Sequence, residues 1–162
     1  MNNLKSRRAF IVGLSSTKIT NKERHFLRKY KPWGVILFAR NIKSVDQTKK
    51  LTNDIKKIFK DSKYPILIDE EGGMVTRIRS IIDNSHFPAK YFGDNYKKDK
   101  TKSLLYLRTY IKQISHLLRY MGISINTVPV LDIPRPFTSK VIGTRAISKD
   151  INVINKIGEK TI

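Results

Sequence analysis

The chain has 162 residues, and 33 Lys and Arg against 13 Asp and Glu give a formal net charge of +20. A hydrophobic fraction of 40% beside a charged fraction of 28% excludes the class of chains that are too polar to build a core. The sequence contains no cysteine, which excludes disulfides, thiolate metal sites and cysteine nucleophiles. The length suits one domain, and no apolar run approaches the roughly 18 residues of a membrane helix.

The first apolar run, Ala9 to Leu14, follows the basic residues Lys5, Arg7 and Arg8, as the core of a signal peptide would. The run is shorter than a typical signal core, and residues 15–18 offer no clean small-residue cleavage site. We therefore predict that this run is the first core strand and that the protein is cytoplasmic.

Helix and strand patterns then alternate along the chain. Thr20 to Tyr30 reads as a helix that opens on a capping box of Thr20 and Glu23. Gly34 to Phe38 reads as a second strand after a turn at Pro32-Trp33. The next three elements are a helix capped by Ser44-x-x-Gln47, a third strand at Pro65–Ile68 and a long amphipathic helix from Leu104 to Met121 that stops at Gly122.

A fourth strand is predicted within Ile123 to Leu131, ending at Asp132, and Ile151, Ile154 and Ile157 mark a last helix. Strands that are apolar on every residue and separated by helices indicate a parallel sheet covered on both faces. The fold class is therefore α/β. Residues 78–100 and 133–147 do not fit the repeating unit, and both follow strands, where α/β proteins place their sites.

The third strand is followed at once by Asp69-Glu70-Glu71-Gly72-Gly73. One interpretation is a charge cluster ahead of a short helix, stabilised by the helix dipole. The other is functional: Asp69 points from the strand end into a site, and the two glycines let a ligand or another backbone segment approach closely.

Polar residues also follow the second and fourth strands, at Arg40-Asn41 and Asp132. Three strand ends of this kind indicate a polar rim suited to the hydroxyl groups of a sugar. Arg77 and Arg145 add guanidinium donors, although each taken alone is better explained as a surface or ion-pair residue. No catalytic role is assigned to the histidines, no metal-ligand spacing occurs, and no cofactor is expected; the three histidines are His25, His86 and His116.

Together these segments resemble the N-terminal domain of glycoside hydrolase family 3, in particular the bacterial cytoplasmic β-N-acetylhexosaminidases. The resemblance rests on five stretches in matching order. They are Gly34-Val-Ile-Leu-Phe-Ala-Arg-Asn41, Ile68-Asp-Glu-Glu-Gly-Gly73 with Arg77, Phe87-Pro-Ala89, Val128-Pro-Val-Leu-Asp132 and Ile142-Gly-Thr-Arg145.

The resemblance implies a (β/α)8 TIM-barrel type of fold, of which residues 1–162 would supply only the first four or so βα units as a partial domain. Such barrels need roughly 250 residues. It also implies that Asp69, Arg77 and Arg145 bind the sugar, and that the complete enzyme is a retaining glycosidase. That enzyme would be a monomer that releases terminal N-acetylglucosamine from peptidoglycan fragments during cell-wall recycling.

The sequence departs from the family pattern at Glu70, where Gln is common, at Met74, where Arg is common, and at Ala146-Ile147, which replaces a Ser-aromatic pair. The resemblance places the nucleophilic Asp, the His-Asp acid/base pair and a Lys-His pair downstream of the Gly143–Arg145 segment. No catalytic residue is therefore assigned within this chain, and we expect it to be inactive alone. By the same resemblance, Glu70 and Glu71 hold a loop and do not attack the sugar.

Two alternatives remain open at this point. The chain could be a catalytically dead half-barrel that binds sugar or assembles with itself, because four βα units leave two open sheet edges. It could instead bind polyanions through its charge, with an affinity that falls steeply with salt and survives Asp69→Asn. The lysines are spread along helix exteriors without a nucleic-acid-binding motif, so we expect no specific nucleic-acid partner and no membrane partner.

Overall fold

The structure is a computed structural model that describes residues 7–162, so Lys5 of the basic N-terminal run lies outside the described residues. The described residues form two compact units: 7–69 with Leu117–Asn126, and Glu70–His116 with Thr127–Ile162. The regular elements are β1 (Arg8–Gly13), α1 (Asn21–Tyr30), β2 (Pro32–Leu37), α2 (Val45–Phe59), β3 (Ile66–Ile68), α3 (Ala89–Lys98), α4 (Lys100–Tyr120), β4 (Ile125–Asn126) and α5 (Ile151–Thr161).

The first unit contains a four-stranded parallel sheet in the order β1-β2-β3-β4. Each strand therefore pairs with the next strand along the chain, as in consecutive βα units. Leu37 pairs with Ile68, so the carboxyl ends of β2 and β3 lie side by side. The predicted α/β class and the parallel sheet are confirmed.

Burial of the strands follows their place in the sheet. All three residues of β3 are buried, whereas β1 is largely exposed and Ile11 keeps 44% of its surface in solvent. The expectation that every strand is covered on both faces is therefore wrong for β1. This strand pairs on one edge only, and its apolar residues lack the neighbours that bury β3.

The predicted caps form as the sequence indicates. The Thr20 side chain accepts the Glu23 backbone N–H, and the Glu23 carboxylate accepts the backbone N–H groups of Thr20 and Ser15. Burial alone would raise the pKa of Glu23, but these hydrogen bonds outweigh it and hold the pKa below its usual 4.5. Ser44 likewise accepts the Gln47 backbone N–H at the start of α2.

Several predicted boundaries are wrong. Pro32 and Trp33 belong to β2 and do not form a turn, because Pro32 lies at the first residue of the strand, where proline is tolerated. The fourth strand is only Ile125–Asn126 and does not reach Asp132. The polar segment 78–100 contains α3, a helix that was not predicted. Its lysines and Asn95 make the segment polar on average, so the apolar periodicity of the helix is weak.

The second unit has its own apolar core, built by α3, α5 and the part of α4 up to His116. Gly93 of α3 lies against the Ile147 backbone so closely that an added Cβ would stand 2.0 Å from its carbonyl oxygen. The buried core residues are Phe92, Leu107, Ile147, Val153, Ile154 and Ile157. Over residues 7–162, none of the helices has the length and apolar character needed to cross a membrane.

Candidate functional site

Asp69 follows β3 directly and is half-buried in the first unit. The preceding residue, Ile68, is the last residue of β3 that pairs with the two neighbouring strands. Asp69 is therefore the first residue after the carboxyl end of a buried parallel strand, which is where α/β proteins place ligand-binding groups. The structure thus puts Asp69 where the sequence predicted it.

Glu70 is the centre of a hydrogen-bond network in the second unit. Its side chain is buried, and one oxygen accepts the backbone N–H groups of Arg77, at 2.6 Å, and Ile78, at 3.2 Å. The other oxygen accepts the Thr76 hydroxyl at 2.8 Å and the Asn84 side-chain amide at 3.3 Å. Four donors around one buried carboxylate fix the backbone of the segment that carries Arg77.

The two glycines after Glu71 serve the packing of the chain itself. Gly72 has φ +77° and Gly73 has φ +63°, a conformation that residues with a side chain rarely adopt. A Cβ on Gly72 would stand 2.4 Å from the Phe87 carbonyl oxygen, and one on Gly73 would stand 2.7 Å from Pro88. Of the two expectations for Gly72-Gly73, a close backbone neighbour is therefore observed.

No α-helix follows the acidic residues before Ala89, so the interpretation of Asp69-Glu70-Glu71 as a cluster at a helix start is wrong. Instead the chain makes a tight turn, in which the Glu71 N–H donates to the Val75 carbonyl at 3.0 Å. Each of the two glutamates then has its own set of partners within the second unit.

Glu71 forms a bidentate ion pair with Arg145. The Nε and Nη2 atoms of Arg145 lie 2.8 Å from the two carboxylate oxygens, across 74 residues of sequence. The Glu71 side chain is only 8% exposed, and the Arg145 side chain is 24% exposed. The structure therefore brings together one predicted site residue, Arg145, and a glutamate that was expected to hold a loop.

Arg77 is half-buried, and its backbone is held by Glu70 as described. Arg77 and Arg145 thus share one feature: a glutamate of the same Asp-Glu-Glu-Gly-Gly segment fixes the position of each. Glu70 acts on Arg77 through the backbone, whereas Glu71 acts on Arg145 through the side chain.

Asn41 does not belong to the predicted polar rim because it is buried, and Arg40 is exposed but also contacts the loop after β1. Arg40 Nε donates to the Leu14 carbonyl at 2.8 Å, and its guanidinium stacks over Phe38 at 4.6 Å. Asn41 is fully buried and donates to the carbonyls of Leu14 and Ser16. These side chains hold the loop after β1, because its backbone carbonyls need partners that no strand supplies.

Asp132 is exposed and lies six residues beyond β4, so its predicted place at the end of the fourth strand is wrong. The polar rim predicted from three strand ends therefore loses Asn41 and the strand-end position of Asp132. Within residues 7–162, no group of three or more His, Asp or Glu side chains is arranged to hold a metal ion.

Sequence reasoning missed Asn84 and Tyr110. Asn84 is buried, donates to Glu70, and accepts the Gly73 and Phe87 backbone N–H groups. The Tyr110 hydroxyl lies beside Gly72, and its pKa is raised by burial and further by the Glu70 charge. Neither residue carries a sequence signal, because both are distant from Glu70 along the chain.

The fold and these loops define the class of the protein: a parallel α/β chain of consecutive βα units with acidic and guanidinium groups in the loops after β3 and after β4. Residues 3–162 match the family model described as the glycosyl hydrolase family 3 N terminal domain. The chain therefore belongs to glycosyl hydrolase family 3.

Among its relatives are a Beta-hexosaminidase of Xanthomonas euvesicatoria pv. vesicatoria (strain 85-10) and one of Thioalkalivibrio sulfidiphilus (strain HL-EbGR7). The chain is 30% identical to the first over 146 residues and to the second over 144 residues, and each match covers 89% of this chain. It covers 42% and 41% of those proteins, so the chain spans less than half the length of the curated relatives it matches.

Solved structures with the same fold include NagZ from Neisseria gonorrhoeae in complex with N-trifluoroacetyl-D-glucosamine. The TM-score is 0.83 at 24% identity, covering 96% of this chain and 46% of that one. A family 3 beta-N-acetylglucosaminidase from Paenibacillus sp. str. FPU-7 gives a TM-score of 0.77 at 24% identity, covering 94% and 28%. The predicted fold, the first βα units of a family 3 barrel, is confirmed.

Proposed function

We propose that this chain is the sugar-binding part of a β-N-acetylhexosaminidase, and that Asp69, Arg77 and Arg145 contact the terminal N-acetylglucosamine. Family membership supports the glycosidase class, and the relatives named Beta-hexosaminidase support the hexosamine substrate. The observation that carries the proposal is the Glu70 network, which fixes the Arg77 segment in one defined conformation.

The chemistry of each group suits a neutral sugar. A carboxylate such as Asp69 accepts hydrogen bonds from hydroxyls, and a guanidinium donates to hydroxyl or amide oxygens. The substrate of the complete enzyme is proposed to be a peptidoglycan fragment with terminal N-acetylglucosamine. The cytoplasmic location and the monomeric state of the complete enzyme also remain predictions.

In the complete enzyme we propose a retaining two-step hydrolysis. A carboxylate nucleophile attacks the anomeric carbon while an acid group protonates the departing oxygen, and water then releases the sugar from the glycosyl-enzyme. Family resemblance assigns those groups to sequence downstream of Gly143–Arg145. The chain of 162 residues is therefore proposed to bind the sugar without cleaving it.

The first test is binding of N-acetylglucosamine to the chain, followed by NMR titration. We expect saturable binding with a Kd of about a millimolar, the weak range typical of a small neutral ligand held by few contacts. Asp69→Asn should lower the affinity about tenfold, because an ionised acceptor is replaced by a neutral amide. Asp46→Asn, an equal change of charge at an exposed position on α2, is the matched control.

The second test is turnover of an aryl N-acetyl-β-glucosaminide by the same preparation. We expect none above the buffer rate. Turnover above that rate would contradict the assignment of the nucleophile downstream. Equal sugar affinity in Asp69→Asn and Asp46→Asn would contradict the role of Asp69 itself.

A further inference from the structure

The ion pair between Glu71 and Arg145 has a consequence for the choice of ligand. Both Arg145 bonds are 2.8 Å long and run from neighbouring nitrogens of the planar guanidinium to the two carboxylate oxygens. Such two-bond pairing is the geometry in which arginine and carboxylate bind most specifically. The positive charge of Arg145 is therefore balanced at contact distance.

Because Arg145 is partly buried, the balance of its charge by Glu71 has a large effect on ligand binding. The Arg145 side chain is 24% exposed, so a ligand can reach it, but water screens it less than it screens the lysines of the surface. A half-buried arginine without a counter-charge would attract anions strongly in a chain of net charge +20. The ion pair of Arg145 with Glu71 has no net charge.

The two glutamates have different partners among the contacts described. Glu70 accepts hydrogen bonds from Thr76, Asn84 and two backbone N–H groups. Glu71 pairs with the guanidinium of Arg145. The charge of Glu71 therefore offsets that of an arginine proposed to touch the substrate.

We propose that Glu71 is a specificity-determining residue: by neutralising Arg145 it makes this position accept neutral sugars and disfavour anionic ligands. The inference rests on the proposed function in one respect, that Arg145 contacts the sugar. The ligand favoured at this position is then an uncharged pyranoside, and a uronic acid or a sugar phosphate is disfavoured.

A simpler role for the pair would be a clasp between the turn at Gly72 and the segment at Gly143–Arg145. The two roles predict different results. A clasp acts through geometry and would change the affinity for neutral and anionic ligands in the same direction. Charge balance would instead raise the affinity for anionic ligands when the glutamate is removed, and lower it when the arginine is removed.

The experiment compares inorganic phosphate and N-acetylglucosamine as probes, by NMR titration at low ionic strength. The variants are Glu71→Gln, Arg145→Gln and the double variant. Glu159→Gln is the matched control, because it removes one negative charge from an exposed ion pair of the same unit.

We expect Glu71→Gln to bind phosphate about tenfold more tightly than the unchanged chain, since one opposing charge a few ångströms away is removed. Its affinity for N-acetylglucosamine should fall about threefold, because the Arg145 fork is held less firmly. Arg145→Gln should weaken phosphate binding. The double variant should bind phosphate with nearly the affinity of the unchanged chain. Glu159→Gln should change phosphate affinity less than twofold.

The proposal is overturned if Glu71→Gln gains no more phosphate affinity than Glu159→Gln, or if the double variant keeps the gain. If Glu71→Gln does not fold, as judged by circular dichroism, Arg145→Gln and the double variant decide the question by the opposite sign. If neither the unchanged chain nor any variant binds N-acetylglucosamine, the result counts against the proposed function. The comparison of phosphate affinities still tests whether Glu71 balances the charge of Arg145.

Discussion

Replacing Glu70 tests the hydrogen-bond network that fixes the Arg77 segment. In Glu70→Ala the backbone N–H groups of Arg77 and Ile78 lose their acceptor in a buried place, and each orphaned donor costs about 1–3 kcal/mol. The hydroxyl of half-buried Thr76 and the amide of buried Asn84 lose an acceptor as well, but neither is a backbone group of the Arg77 segment. The expected loss in the free energy of unfolding is about 4 kcal/mol.

Glu70→Gln should cost far less. The glutamine carbonyl can replace the carboxylate oxygen that accepts the backbone N–H groups of Arg77 and Ile78, so both of these hydrogen bonds are kept. The glutamine amide can donate to the Thr76 hydroxyl, which then acts as acceptor. It can also donate to the Asn84 side-chain carbonyl if the Asn84 amide group rotates. The expected loss is about 1 kcal/mol, for exchanging a charged acceptor for a neutral one.

The assay is urea denaturation followed by circular dichroism, with amide hydrogen exchange at Arg77 and Ile78 as the local readout. Glu70→Ala should lose protection at both amides, whereas Glu70→Gln should keep it. Glu159→Ala, an exposed glutamate, serves as the control. Equal stability of Glu70→Ala and Glu70→Gln would contradict the role of Glu70 as backbone acceptor, because only the glutamine variant keeps an oxygen for the two N–H groups.

Three further predictions concern the fold. Tyr64→Phe removes a buried 2.8 Å hydrogen bond to the Pro32 carbonyl and should lower stability by about 1–2 kcal/mol, measured as a shift in the urea midpoint. Gly93→Ala should cost about 3 kcal/mol or prevent folding, since its Cβ meets the Ile147 carbonyl, and a normal thermal midpoint would contradict this packing. The folded pKa of Glu23 lies below its usual 4.5, so its contribution to stability is present above that pH and is lost as pH falls through the folded pKa. Glu23→Gln should therefore flatten the acid limb of a pH-stability curve, and an unchanged limb would exclude this group as a cause.

Much of the fold could be predicted because local signals and the global pattern agree. Thr20 with Glu23 and Ser44 with Gln47 mark helix starts that the structure reproduces. The continuous apolar runs mark the strands, since only a parallel sheet buries such runs. The strand boundary at Pro32 and the length of the fourth strand failed, because pairing with neighbours decides where a strand begins and ends.

The candidate site was predictable only in part. Asp69 is recognisable because it follows an apolar strand directly, and that position depends on the sequence alone. Arg40-Asn41 follows the second strand in the same way, yet Asn41 is buried against the loop after β1. Nothing in the local sequence distinguishes a polar residue that faces a ligand from one that satisfies a nearby carbonyl.

The order of the βα units, the family and the acidic segment after the third strand can be predicted from the residues alone. Those features depend on hydrophobic period, capping residues and motif spacing, all of which are local. The partners of the two glutamates, the Arg77 backbone for Glu70 and Arg145 for Glu71, are visible only in the folded chain. Adjacent glutamates have identical chemistry, so they differ only in which distant donors the fold brings to them.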